Sequence, residues 1–190
     1  MPFNELIRFI KSDLYQYAGK TTAVPFLRNL IFAPGFKYSF WMRLSAYFAH
    51  HRFFKHSLFF FSAIMLAHYR DKYGIEIAYV TQVGSGLHIV HPGGIVVTPE
   101  AVVGNNCVIF HGVTIGMKDF GKRIGAPIIG DNVFIGPGAK IIGNVNIGNY
   151  AFVGANCVVT KDVPDHATVV GIPGKVIGYS NSEGFAAENR

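Results

Sequence analysis

The stretch IGDNVFIGPGAKIIGNVNIGNYAFVGANCVV, residues 129–159, places an aliphatic side chain at every sixth position: Ile129, Ile135, Ile141, Ile147, Val153 and Val159. Glycine follows the aliphatic at Gly130, Gly136, Gly148 and Gly154. The fifth position of each hexad is small or aliphatic: Val133, Ala139, Val145, Ala151 and Cys157. Working back toward the N-terminus, Val103, Ile109 and Ile115 keep the same spacing in a second register, and Ile77, Val83, Ile89 and Ile95 in a third. Thirteen anchors spaced in this way are the hexapeptide repeat of a parallel β-helix. Each hexad supplies one short strand and a turn, and three hexads close one triangular coil. The aliphatic points into the prism and stacks on its counterpart one coil away, about 4.8 Å distant. Residues 73–178 are expected to make about five coils, in a mainly β fold.

Two interruptions break the period. Ile95 to Val103 is two residues too long, which places a bulge at Thr98-Pro99-Glu100. Ile115 to Ile129 is also two residues over, and its polar, glycine-rich content predicts a loop extruded from the prism over 116–128. Loops leaving a regular scaffold are where binding residues tend to sit. Residues 179–190 read as a C-terminal tail. Cys107 and Cys157 fall in the small inward slot and read as core thiols; with two cysteines and no C-x-x-C pair, a disulfide framework and a cysteine zinc site are excluded.

Residues 1–72 read as a separate helical region of two to four helices. They hold ten Lys and Arg against three acids, and 18 of the 27 aromatic residues. No acid occurs between Asp13 and Asp71. Such a segment suits an anionic membrane surface or a partner subunit. The longest apolar run, Leu58 to Ala67, is half of the roughly 20 residues that a membrane span needs. No secretory signal is read at the N-terminus, so a cytoplasmic location is expected, at the inner face of the membrane if the basic helices touch lipid.

The strings GIEI (74–77), VHPGGIVV (90–97), VIFHGVTIG (108–116) and VVTKDVPDHATVVGIPGKVIG (158–178) closely resemble the serine O-acetyltransferase family. The resemblance implies a left-handed β-helix, association into trimers or paired trimers, acetyl-CoA as cosubstrate and no metal. It also implies His91 as general base and Glu76, where the family has Asp, as its carboxylate partner. An unassisted hydroxyl attacks a thioester poorly, and an imidazole that removes its proton is worth roughly 10²–10⁴-fold. The carboxylate would orient the ring, as in a Ser-His-Asp triad. From spacing alone, His111 stands two residues after Ile109 as His91 does after Ile89. Both imidazoles are therefore expected on one corner, one coil apart, with His111 lining the acceptor site. By motif match, Gly116, Gly136, Ala139, Gly154 and Ala155 would line the acetyl-CoA groove, with Lys161 and Lys175 as candidates for its phosphates.

Departures from the family bear on the acceptor. Where its extruded loop carries R-H-P, this chain has Gly125-Ala126-Pro127, leaving Lys122 and Arg123 as candidates for substrate binding. The helical acid of the family has no counterpart. A short basic, aromatic N-terminal region resembles instead the acetyltransferases of exopolysaccharide, capsule and colanic-acid synthesis. This favours a sugar hydroxyl as acceptor, with serine O-acetylation in cysteine biosynthesis as the alternative. A β-helix carbonic anhydrase would need histidines spaced H-x4-H on the coils, and the only such pair, His51 and His56, lies before them. The scattered basic residues match no nucleic-acid-binding motif.

Overall fold

The computed structural model describes residues 2–50 and 57–179. Four helices come first: α1 (Phe3–Ala18), α2 (Ala23–Phe32), α3 (Pro34–His50) and α4 (Ser57–Tyr73). The buried residues of α1, Leu6, Ile10, Asp13 and Leu14, recur at helical spacing and form one inward stripe. Gly19, in the left-handed conformation, closes the helix by donating its N–H to the Tyr15 carbonyl at 2.8 Å. Pro34 opens α3, where its missing N–H is harmless.

The coils follow. The first is β1 (Ile75–Ile77), β2 (Gln82–Val83) and β3 (His88–Ile89). The second is β4 (Ile95–Val97), β5 (Val102–Val103) and β6 (Val108–Ile109), and the third β7 (Thr114–Gly116), β8 (Ile128–Ile129) and β9 (Phe134–Ile135). The fourth is β10 (Lys140–Ile142), β11 (Asn146–Ile147) and β12 (Phe152–Val153). The fifth runs through β13 (Val158–Val159), a bridge at Val163 and β14 (Thr168–Val170). Then β15 (Lys175–Gly178) folds back antiparallel on β14. Strands stack into a five-stranded face (β1-β4-β7-β10-β13), a four-stranded face (β2-β5-β8-β11) and a six-stranded face (β3-β6-β9-β12-β14-β15). This is the parallel β-helix of about five coils that the hexads predict, with the anchors and both cysteines buried inside it. Burial pushes the Cys107 thiol up to about 12, leaving it protonated and inert.

One register needs correction. Ile77 stacks on Val97, and Ile95 on Ile75. The two-residue insertion therefore lies between Ile89 and Val97, in the turn His91-Pro92-Gly93-Gly94, and Thr98-Pro99-Glu100 is an ordinary corner. Strands β1 and β4 bury both their first and third residues, so six-residue spacing alone fits either end.

The helices cap the first coil, whose outer edge would otherwise carry unpaired backbone groups. The Tyr38 hydroxyl donates to the Ile77 carbonyl at 2.9 Å and accepts from the Ile77 N–H at 3.0 Å. Tyr17 does the same for Ile89, at 3.1 and 2.9 Å. Between them, Arg43 donates to the carbonyls of Val83 (2.6 Å) and Gly84 (2.5 Å), while Asp13 accepts from the N–H groups of Gly86 and Leu87, both at 2.9 Å. Arg43 and Asp13 also pair with each other at 3.2 Å, buried. Gly35 permits the approach: a Cβ there would lie 2.3 Å from the Ile89 carbonyl oxygen.

Candidate active site

The corner where the six-stranded face turns into the five-stranded face collects His91, His111, Gly136, Gly154 and Ala155 of the residues singled out from the sequence. It is built as a ladder: Gly112 N–H donates to the Gly93 carbonyl, Gly138 N–H to the His111 carbonyl and Asn156 N–H to the Pro137 carbonyl. Gly93, His111, Pro137 and Ala155 thus occupy successive rungs, and His91, two residues after Ile89 as His111 is after Ile109, stands at the start of the lowest turn. The rings of His91 and His111 stand 6.0 Å apart, as the spacing argument requires, and both residues are exposed. The insertion at His91-Pro92-Gly93-Gly94 widens this turn relative to the coils above it. Phe110 lies 6.0 Å from the His91 ring and continues through Phe134 to Phe152, stacked at 4.4 Å.

Glu76 sits at the middle of β1 with its side chain outward. No hydrogen bond or ion pair joins it to His91 among the described residues; its charge acts on Arg70 and Tyr38. The start of β1 nevertheless abuts the histidine turn, because Ile95 N–H donates to the Gly74 carbonyl at 3.0 Å.

Gly136 and Gly154 flank the upper rungs of the histidine corner, one coil apart, with Ala155 beside them. A Cβ on Gly136 would lie 2.9 Å from the Val153 carbonyl oxygen. Ala139 points into the prism and is fully buried, so only its backbone faces outward groups. Gly116 and Lys161 lie at a different corner, where the five-stranded face meets the four-stranded one, and Lys175 lies on β15. The extruded loop leaves after Gly116 and returns at Ile128, closed by paired backbone bonds between Lys118 and Gly125 at 2.9 and 3.0 Å. Arg123 does not extend free: its guanidinium grips Asp162 at 2.7 and 3.1 Å, holding that carboxyl below the usual range. Lys122 is exposed.

Sequence reasoning missed Lys140. Its ammonium, one coil above His111, donates to the Gly112 carbonyl at 2.5 Å and the Thr114 hydroxyl at 3.0 Å. The outward first position of β10 was its only signal. His51 and His56 lie outside the described residues, and among those described no cluster of metal-ligating side chains occurs. No described helix is long and apolar enough to cross a membrane.

Comparison with known proteins bears on the fold and the family. The family model "Bacterial transferase hexapeptide (six repeats)" matches residues 126–161. The serine acetyltransferase of Bacillus pumilus is 42% identical over 139 residues, covering 70% of this chain and 63% of that protein. The structure of Neisseria gonorrhoeae serine acetyltransferase in complex with serine superimposes with a TM-score of 0.74 and 30% identity, over 93% of this chain and 70% of that one. The chain belongs to the serine acetyltransferase family. The structure of the Brucella abortus serine acetyltransferase in complex with coenzyme A has a TM-score of 0.74 at 28% identity, over 94% of this chain and 69% of that one. The left-handed β-helix acyltransferase fold that the family resemblance implies is therefore the fold of this chain. The sugar acceptor inferred from the basic, aromatic N-terminal region is overturned: relatives at 42–46% identity are serine acetyltransferases. That region's composition reflects in part its capping role, with Tyr17, Tyr38 and Arg43 spent on the first coil. The chain spans between 43% and 63% of the length of the curated serine acetyltransferases it matches.

Proposed function

We propose that this chain is an acetyl-CoA-dependent O-acetyltransferase whose acceptor is the hydroxyl of L-serine, the reaction of cysteine biosynthesis. The observation that carries this reading is its likeness, over 93% of its length, to a serine acetyltransferase in complex with serine. In this mechanism His91 removes the serine hydroxyl proton as the oxygen attacks the thioester carbonyl. The carbon–sulfur bond then breaks, and the imidazolium returns the proton to the departing thiolate of CoA. Glu76 acts through orientation and charge, and His111 lines the acceptor side. Gly136, Gly154 and Ala155 give the pantetheine arm access to the backbone above the two histidines; Lys175 meets the phosphates, and Lys161, at the other corner, would meet them from a neighbouring subunit. Gly116 and the extruded loop lie at another corner. A trimer, in which one subunit's loop faces its neighbour's histidine corner, would complete the site. Of the two loop cations singled out for the acceptor, Arg123 is engaged by Asp162 and Lys122 is left for the serine carboxylate. The test is thiol release from acetyl-CoA with L-serine as acceptor. Serine-dependent release is expected, with a high KM because the R-H-P clamp is missing. Bound acetyl-CoA without serine-dependent release would overturn the acceptor, and failure to bind acetyl-CoA would overturn the enzyme.

A further inference from the structure

A groove of about 970 Å³ runs between α1, α2 and the outside of the six-stranded face. Its rim carries three cations, Lys11, Lys20 and Arg28, and no acid lines it. Among the described residues none of the three is paired. The neighbouring acid, Asp13, is buried and consumed by Arg43, Gly86 and Leu87. The positive charge of the rim is therefore uncompensated from within. The floor combines apolar and hydrogen-bonding surface. Val90 and Phe134 supply the former, and an amide ladder the latter: Gln16 donates to Asn106 at 3.1 Å, and Asn106 to Asn132 at 3.3 Å. His88, on the same floor, is held by burial at a pKa of about 4, so it adds a neutral nitrogen rather than a fourth charge.

We propose that this groove binds a phosphate monoester of a small molecule with an apolar or aromatic body. A dianion matches several cations on one rim, and Arg28 can hold a phosphate through two parallel bonds. The body of the ligand would lie on Val90 and Phe134. Because Val90 immediately precedes His91, the ligand would sit on the acceptor side of the histidine corner. A concave groove with cations on its rim suits one compact anion better than a plane of lipid headgroups. Nothing in this proposal depends on serine being the acceptor, and its test measures binding rather than turnover.

The full chain is titrated calorimetrically with phenyl phosphate, with phenol as the uncharged counterpart, and with vesicles of phosphatidylglycerol or phosphatidylcholine. One phenyl phosphate per chain is expected, with phenol at least about tenfold weaker, and with Lys20→Gln and Arg28→Gln each weakening the ester by about tenfold or more. Lys161→Gln and Lys175→Gln should leave it unchanged. Four results would each overturn the proposal. The ester could bind no better than phenol. The loss could appear on Lys161→Gln or Lys175→Gln instead, placing the phosphate in the cofactor's site. Lys20→Gln and Arg28→Gln could both leave affinity intact. Binding could also be confined to anionic vesicles.

Discussion

Replacing Tyr38 by Phe removes one oxygen from a fully packed position. The ring is 1% exposed, so its packing is retained. The hydroxyl serves two backbone groups at once, the N–H and C=O of Ile77, and Ile77 is itself 1% exposed. Burial pushes the phenol pKa up to about 12 although the bond to Ile77 pulls it down, so it remains a donor throughout the usable pH range. Each buried backbone group left without a partner costs about 1–3 kcal/mol, so the pair amounts to about 2–6 kcal/mol. Against a typical unfolding free energy of about 5–15 kcal/mol, this is a large fraction. Tyr17→Phe repeats the experiment on Ile89, on another face of the prism, and the two losses should add if the sites are independent. Urea unfolding followed by the fluorescence of Trp41, the sole tryptophan and three residues from Tyr38 in α3, reads the effect at fixed protein concentration. A fall in midpoint at unchanged slope is expected. If both variants lose less than about 0.5 kcal/mol, the phenols are not what satisfies this edge, and the capping argument fails.

Other outcomes follow from the same geometry. His91→Ala should leave a folded protein with acetyl transfer lowered at least about a hundredfold, measured as thiol release; a retained rate removes it as the base. Glu76→Gln should lose less than His91→Ala, because no bond ties Glu76 to the ring; an equal loss reverses that ranking. His88 titrates near 6.5 when unfolded and about 4 when folded. The unfolded chain therefore binds the extra proton, and stability should fall as pH drops from about 6.5 to 4, by at most about 3 kcal/mol. His88→Gln should flatten that slope, and an unchanged slope would assign it to other groups. Arg123→Ala should speed tryptic cleavage at Lys118 and Lys122 while changing stability by less than about 1 kcal/mol, since the pair with Asp162 is exposed.

The β-helix was legible because its core repeats. Every inward slot is filled by a short-range rule, and six-residue spacing survives in sequence whatever the surroundings. The misplaced bulge shows the limit of that rule: Ile95 and Val97 are both buried, so the period cannot say which belongs to the column of Ile77. The His91–His111 corner was legible for the same reason as the core, being tied to Ile89 and Ile109. The caps were not. Tyr17, Tyr38, Asp13 and Arg43 reach partners on the first coil between 39 and 74 residues away, and nothing local distinguishes them from other polar or aromatic helix residues. The acceptor was misread because charge and aromatic content were taken as surface properties when several of those side chains face inward. Lys140 was overlooked because an outward lysine on a strand carries no pattern until its partners are seen.

The two ends of the prism share a property with consequences for assembly. At the start, helices cover the exposed backbone of the first coil. At the finish, β15 runs backward along β14, and the turn over Gly171–Gly174 occupies the last strand of the five-stranded face through bonds to Val158. A solenoid of identical coils is otherwise a template for its own extension, since each terminal rung offers the same ladder as the one before. Here the first rung is covered by the helices, and two of the three faces of the last rung are covered among the described residues. Strand addition along the helix axis is therefore blocked at the first coil and on the five- and six-stranded faces of the last, which leaves the outer faces and corners, where the chemistry lies, as pairing surfaces.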